Sequence, residues 1–274
     1  MTDTPFSRQF HLDPARVQLK DYPTDIDHSF ELPCLETSLD LIGEHQRRLW
    51  ANGKHALLLV LHGTDASGKD SLIRTLATYA DPAGFHAWSF SRPDDLEARH
   101  DFLWRTVPML PALGQMVAFN RSYHEAVMAE RLWPVRAPEH YNWPARYDAI
   151  RSFESHLVQE GTTIVKIWLH LSDEEHRHRL LKRLDKPRKR WKFESSDIDA
   201  WRRRHEYRAV AGEAMAATHT TAAPWHIIPA NRKPVARALV ARIVAEQLQG
   251  LAPEYPSHDP ALLAQYAEAL KAKD

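Results

Sequence analysis

The stretch that most restricts the fold runs from residue 55 to 80, HALLLVLHGTDASGKDSLIRTLATYA. A short apolar run ended by Gly63 reads as a strand buried on both faces, and the residues after Gly68 read as a helix. Between them, Gly63 and Gly68 let the backbone turn tightly and aim its N–H groups at an anion. The helix N-terminus adds roughly half a positive charge, and Lys69 adds a full one. Strand, loop and helix together meet the structural context of the phosphate-binding pattern G-x-x-x-x-G-K-[ST], with one departure: Asp70 replaces the hydroxyl after the lysine. Ser71 sits one residue too late to supply it, and Asp65 adds a second carboxylate inside the loop. Two ionised carboxylates within about 6 Å of a phosphate chain would repel it by several kcal/mol in a low-dielectric site. A divalent cation reverses that sign. Asp65 is therefore expected to hold Mg²⁺, directly or through water. Asp70 reads equally well as a metal group or as a first-turn carboxylate favoured by the helix dipole.

The same alternation recurs along the chain. FHAWSF, GQMVAFN, TTIVKIWLHL and PWHIIPA each read as strands, separated by helical segments long enough for crossovers. Five strands with helical crossovers predict an α/β fold with a five-stranded parallel sheet in three α/β/α layers. The predicted organisation is an irregular arm over 1–37, a domain carrying the phosphate loop over 38–249, and a tail over 250–274. The domain opens with a helix, SLDLIGEHQRRLWAN, striped by Leu39, Ile42 and Leu49. Ser172 with Glu175, and Asp94 with Glu97, read as capping boxes. The amphipathic tail DPALLAQYAEALKAKD is expected to dock as a helix on the same domain or on a neighbouring subunit. Across 274 residues, 36 basic side chains balance 36 acidic ones, so any function that needs positive charge must be local. That balance speaks against nucleic acid and acidic membrane as partners. The single cysteine, Cys34, the lack of a long apolar N-terminal run, and the lack of any run near the ~20 residues that span a bilayer predict a cytoplasmic protein.

Two further segments carry chemistry. In enzymes with this loop, a second strand ends in an acidic residue that orients the metal. Here QMVAFNRSYHEAV ends its strand in Asn120, followed by Arg121, which shifts the burden of holding Mg²⁺ toward Asp65. Glu125 could return a carboxylate from the next helix, although a lone glutamate there reads first as a surface residue. The most basic stretch, about 184–205, crowds Arg188, Lys189, Arg190 and Lys192 around Trp191 in a Pro-containing segment between helices. It reads as a lid that closes over phosphates and excludes water, with Trp191 anchoring it or stacking on a base. Of the 17 histidines, His62 and His124 stand near these segments, but direct in-line transfer is favoured over a phosphohistidine.

In order along the chain, GTDASGKD, HDFLWR, FNRSYHEAV, KPRKRWKF and PWHIIPANRK resemble the motifs of the polyphosphate kinase 2 family, over roughly residues 38–249. The resemblance implies a P-loop kinase fold with a basic helical lid and Mg²⁺-dependent phosphoryl transfer, with Mn²⁺ as an alternative ion. It implies transfer of the terminal phosphate of inorganic polyphosphate to AMP or ADP, with GMP and GDP as further acceptors. Asn120 and Glu125 resemble the class III branch, whose members phosphorylate both AMP and ADP. Carried over by position, Asp65, Lys69, Arg121 and Glu125 are the implied catalytic residues, and Asp65 the metal residue with Asn120 and Asp70 as further candidates. Gly63, Ala66, Ser67, Gly68, Lys69, Asp70, Ser71, Arg74 and Arg92 would hold the phosphate chain, and Arg105, Asn120, Arg121 and Glu125 the nucleotide. The lid set is Arg188, Lys189, Arg190, Trp191 and Lys192. The family also suggests a homodimer or homotetramer. Departures are His124 where an aromatic is usual, Arg92 where a lysine is common, Asn231 where aspartate is usual, and the missing acidic pair after the lid tryptophan region. Two rival readings are an ATP-dependent nucleotide or small-molecule kinase of the same fold, and a non-catalytic polyanion-binding protein.

Overall fold

The structure, a computed structural model, describes residues 5–191 and 193–271, with Lys189 described by its backbone alone. In chain order the main elements are α1 (Leu35–Asn52), β1 (Ala56–Gly63), α2 (Lys69–Ala77), β2 (Phe85–Ser89), β3 (Met116–Asn120), α3 (Trp143–Gln159) and β4 (Thr162–His170). These are followed by α4 (Asp173–Asp185), α5 (Pro187–Arg190), α6 (Ser195–Arg202), α7 (Arg204–Thr218), β5 (Trp225–Pro229), α8 (Lys233–Gly250) and α9 (Pro260–Lys271). All five strands pair in parallel in the order β2-β3-β1-β4-β5. Each falls within a run that the hydropathy pattern predicts.

β1 occupies the centre of the sheet, and all eight of its residues are buried. Successive side chains point to opposite faces, so its continuous apolar run serves two cores at once. Leu57, Leu59 and Leu61 pack with Leu39, Ile42 and Leu49 of α1 and with Leu239 and Ile243 of α8. Leu58 and Val60 pack on the other face with Tyr147 and Ile150 of α3 and Met215 of α7. Each fully buried leucine is worth about 1.5–3 kcal/mol of transfer free energy. α1 ends at Gly53, whose left-handed φ of 64° closes the helix.

The N-terminal arm lies along the β5 edge of the sheet. Leu12 N–H donates to Trp225 O at 2.8 Å, and Phe10, Leu12 and Leu19 are buried. That contact covers backbone groups that an open edge would expose. Of the two predicted capping boxes, Asp94 and Glu97 exchange both bonds, at 2.8 and 3.0 Å, around a short 3-10 turn. Ser172 caps Glu175 N–H at 3.2 Å, but its own N–H goes to Asn231 Oδ1 at 2.9 Å, while Glu175 turns to Arg179. The predicted tail helix forms as α9, yet none of its described side chains is buried, so it does not dock on its own chain. Among the described residues no helix is long and apolar enough to cross a membrane.

Behind the sheet, Lys166 interrupts the apolar run of β4 and is fully buried. Its Nζ donates to Glu154 Oε2 at 2.6 Å and to Thr218 O at 2.8 Å. Glu154 Oε1 in turn lies 2.9 Å from Tyr123 Oη and 3.0 Å from His124 Nε2. A buried charge pair of this kind holds only when its remaining hydrogen-bonding groups are satisfied. Burial also keeps several imidazoles neutral. It lowers the pKa of His124, His170 and His176 to about 4 and that of His226 to about 3. The unfolded chain takes up these protons near pH 6.5, whereas the native state does not until near pH 4. Between those values the unfolded state binds more protons, so stability falls as the pH falls, by up to about 1.4 kcal/mol per pH unit for each such histidine. The urea midpoint is therefore expected to drop steeply from pH 7 to pH 5. A midpoint constant over that range would contradict the buried neutral assignment.

Candidate active site

The site forms where β1 and β3 end side by side. Leu61 pairs with Asn120, and Arg121 N–H continues the ladder by donating to Leu61 O at 2.9 Å. Ligands in open parallel sheets bind outside the carboxyl ends of strands, where the strand order reverses direction. Here β1 connects outward through α2 to β2 on one side, while β4 and β5 lie on the other. At Gly63, φ is 139°, and a Cβ would stand 2.8 Å from Leu169 O and 2.9 Å from Ser67 Oγ, so only glycine fits. Gly68 turns the chain at φ 117° into the first turn of α2. Lys69 folds back over the loop, its Nζ donating to Gly63 O at 2.8 Å, Thr64 O at 3.1 Å and Ser67 Oγ at 3.3 Å. Burial, with the neighbouring Arg121 charge, lowers its pKa to about 8 against the pull of Asp65.

The acidic groups each have a partner. Asp65 Oδ1 accepts from Arg121 Nη2 at 2.6 Å. Burial alone would push the Asp65 carboxyl up, but Arg121, Lys69 and Arg183 outweigh it and hold the pKa below the usual carboxylate value. Asp70 accepts from Asn120 Nδ2 at 2.8 Å, which joins the first turn of α2 to the end of β3. Ser71 Oγ donates to Gly68 O at 2.8 Å. Glu125 is not the surface helix residue that a lone glutamate suggests. It lies on a 3-10 turn, Tyr123–Val127, with its Oε1 3.2 Å from Nδ1 of the fully buried His62. His62 Nε2 is 2.8 Å from Ser122 Oγ. Burial lowers the His62 pKa, so the ring is neutral, and its bond helps lower that of Glu125 against burial. Both His62 and His124 are wholly enclosed, which removes them as surface phosphate carriers.

Among the described residues no three His, Cys, Asp or Glu side chains converge as a protein-only metal cage. The donor set here is Asp65, with Asp70 beside Asn120. Such a sparse oxygen set fits an ion like Mg²⁺, which is commonly held by one or two carboxylates and completes its shell with substrate phosphates and water.

Beyond Glu125 lies a narrow cleft of about 30 Å³, lined among others by Phe90, Phe102, Arg105, Arg136 and Arg146. The aromatic and guanidinium lining, not its size, is what marks it as a place for part of a small anionic molecule. Arg105 bonds Glu97 at 3.2 Å and lies with its guanidinium 5.3 Å from the Phe90 ring centre. Arg92 is exposed and donates to Pro134 O at 3.1 Å, and Arg74 is exposed in the last turn of α2. In the basic segment, Arg190 donates to Leu184 O at 2.7 Å, and Trp191, 77% exposed, donates to Arg188 O at 3.1 Å. The side chain of Lys189 and the whole of Lys192 lie outside the described residues.

Several contributors were not anticipated. Arg183 pairs with Asp197 of α6 at 3.2 Å and adds positive charge near Asp65. Arg179, one turn earlier on α4, contacts the loop itself. Their spacing of four in HRHRLLKRLD puts them on one helix face, a signal present in the sequence but without a stated target. The cleft residues come from separate loops and leave no local pattern.

A parallel sheet of this order, with a lysine loop between β1 and α2 and an arginine at the adjacent strand end, defines a P-loop phosphotransferase. The family profile described as Polyphosphate kinase 2 (PPK2) matches residues 34–256. The chain is 36% identical over 271 residues to an ADP-polyphosphate phosphotransferase of Rhodopseudomonas palustris, covering 93% of this chain and 94% of the relative. It is 39% identical over 253 residues to an AMP/ADP-polyphosphate phosphotransferase of Meiothermus ruber, covering 90% and 94%. The crystal structure of Polyphosphate Kinase 2 from Arthrobacter aurescens TC1 superposes with a TM-score of 0.82 at 31% identity, covering 96% of this chain and 98% of that one. The chain belongs to the polyphosphate kinase 2 family, and with that family it is a phosphotransferase.

The Asp70–Asn120 bond yields a metal test. Asn120→Asp places two carboxylates at hydrogen-bond distance, which costs about 1–3 kcal/mol when no cation sits between them. The variant should melt below the parent in EDTA and recover more than the parent does when Mg²⁺ is added. Equal melting shifts on adding Mg²⁺ to both proteins would contradict a cation beside Asp70.

Proposed function

We propose that this protein transfers the terminal phosphate of inorganic polyphosphate to AMP and ADP, forming ADP and ATP, by direct in-line displacement. The observation that carries the reading is the meeting of the lysine loop with the Asp65–Arg121 pair at the β1 and β3 ends, beside a cleft walled by aromatic and guanidinium groups. The loop N–H groups, the α2 N-terminus and Lys69 bind the phosphate chain of the donor. The cleft takes the nucleotide, with Arg105 and Phe90 at its wall, and Arg121 directs the acceptor phosphate toward the donor end. Both reacting groups are anions already ionised at neutral pH, so no proton abstraction is required. Catalysis then rests on alignment and on fixed positive charge aimed at the transferring group. Glu125, held by His62, stands between loop and cleft and orients the groups that bridge them. The basic segment around Arg188 and Trp191 closes over the phosphates and excludes water.

Mg²⁺, or Mn²⁺ in its place, would be held by Asp65 with Asp70 and Asn120 adjoining, and when bound it neutralises charge on the phosphate oxygens. The polyphosphate and nucleotide named for the relatives support the substrate assignment, and GMP and GDP are proposed as secondary acceptors. Leu263, Tyr266 and Leu270, exposed at a three- and four-residue spacing on α9, support a homo-oligomer whose subunits bury that face. We place the enzyme in the cytoplasm, with its nucleotide substrates.

Incubation with AMP, Mg²⁺ and long-chain polyphosphate should yield ADP and ATP, and ATP offered as donor in its place should be a poor substitute. Phosphorylation of AMP with ATP alone would replace this reading by that of an ATP-dependent kinase. Polyphosphate binding without turnover would replace it by a polyanion-binding protein. Asp65→Asn and Lys69→Ala should each lower kcat/KM by at least about a hundredfold, roughly 3 kcal/mol, while the folded state persists by circular dichroism. Near-parental turnover by either variant would remove the assigned roles.

A further inference from the structure

Arg179 makes more contacts with the phosphate loop than any distance along the chain would suggest. It lies on α4 and is 5% exposed. Its Nη1 donates to Ser67 O at 2.7 Å and to Ala66 O at 3.3 Å. Its Nη2 donates to Ala230 O at 2.7 Å and to Asn231 O at 2.9 Å, beyond the end of β5. Its Nε donates to Glu175 Oε1 at 2.5 Å. All three nitrogens of the guanidinium are thus engaged, four of the bonds going to backbone carbonyls of two separate loops. A guanidinium is flat and presents its donors in a fixed fork, so it sets the directions of those carbonyls as well as their positions.

Direction matters here because a trans peptide points its C=O and N–H opposite ways. Anchoring Ser67 O on Arg179 turns the N–H of Gly68 the opposite way, away from α4. Anchoring Ala66 O holds the next peptide in the turn that its N–H closes on Thr64 O at 3.2 Å. Ala66 itself has φ 60°, a left-handed conformation that an alanine adopts only when its surroundings hold it there. Arg179 supplies that hold, and α4 leads directly into the basic segment through Asp185 and Pro187.

We propose that Arg179 is a positioning residue for phosphate binding: it aims the Gly68 N–H at the phosphate chain by fixing the Ser67 carbonyl, it holds the turn at Ala66, and it ties the loop to the stem of the basic segment. This inference rests on the proposal that the loop binds the donor phosphates. A lysine at this position would keep the charge but lose the fork, so Arg179→Lys separates charge from geometry.

Tripolyphosphate binding measured by isothermal titration calorimetry, without nucleotide or turnover, tests the idea. Arg179→Lys is expected to bind at least tenfold more weakly than the parent, while its KM for AMP stays within twofold. Glu175→Ala, which removes only the Nε partner, should bind about threefold more weakly and guards against misfolding of the first variant. Binding within twofold of the parent by a folded Arg179→Lys, or by Glu175→Ala should Arg179→Lys not fold, would overturn the proposal. Parallel losses for tripolyphosphate and AMP would overturn it too, since they would mark a general packing role. If the parent binds ATP but no tripolyphosphate, the donor assignment fails separately, and the same Arg179→Lys comparison with ATP still decides the role of Arg179.

Discussion

The eight buried residues of β1 are the constraint from which the rest follows. A strand with apolar side chains on both faces cannot sit at an edge or face water, so helices must cover the sheet on each side. α1 and α8 take one face and α3 and α7 the other. With the strand fixed at the centre, its carboxyl end is fixed too. That end is where Gly63 turns the chain, and where Arg121 hydrogen-bonds from the neighbouring strand. The loop thus inherits its position from core packing, and the geometry that the proposed phosphate binding requires stands on a fully buried central strand.

Each charged group at this end of the sheet has a hydrogen-bonding partner. Asp65 forms an ion pair with Arg121, whereas Lys69, Asp70 and Glu125 are met by neutral groups: loop carbonyls, the Asn120 amide and the His62 ring. Such pairing resolves the conflict posed by an anion loop that carries two carboxylates. In a buried site an unpaired charge costs several kcal/mol, whereas a paired one can change partner when an anion arrives. The whole chain has 36 basic and 36 acidic side chains, so no net field assists the site. Under the proposed function, positive potential for phosphate would come from the direction of N–H groups and from arginines near the surface rather than from an excess of basic residues.

The five strands, the loop and the helix starts were legible because each depends on neighbours a few positions away. Hydropathy period, a glycine at a turn and a capping hydroxyl are local signals. The partnerships were not legible. Nothing near Glu125 in sequence shows that His62 lies against it, because that contact joins the end of β1 to a 3-10 turn that follows β3. Arg179 and Arg183 look like ordinary charges on a solvated helix until the loop and α6 pack against them. Lys166, one charge inside TTIVKIWLHL, is compatible with a buried strand only because Glu154 and Thr218 reach it. The tail shows the opposite failure: its amphipathic pattern correctly marks a helix but does not say what covers its apolar face.

Backbone strain distinguishes the site from the scaffold. Among the described residues the non-glycine positions with left-handed φ are Ala66, Arg121 and Ala252, and the first two flank Asp65 in space. A non-glycine residue held there costs on the order of 1 kcal/mol or more and persists only where surrounding bonds over-determine it. Ala66 has its carbonyl on Arg179, and Arg121 has its N–H on Leu61 and its guanidinium on Asp65. In each case the strained residue sets a feature that the proposed function uses: the turn of the loop after Ala66 and the guanidinium of Arg121. A glycine would remove the strain at either position but would also free the backbone, and at Arg121 it would delete the charge. The fold instead keeps a side chain at both positions and offsets the strain with part-buried hydrogen bonds, which is the preorganisation that the proposed function requires.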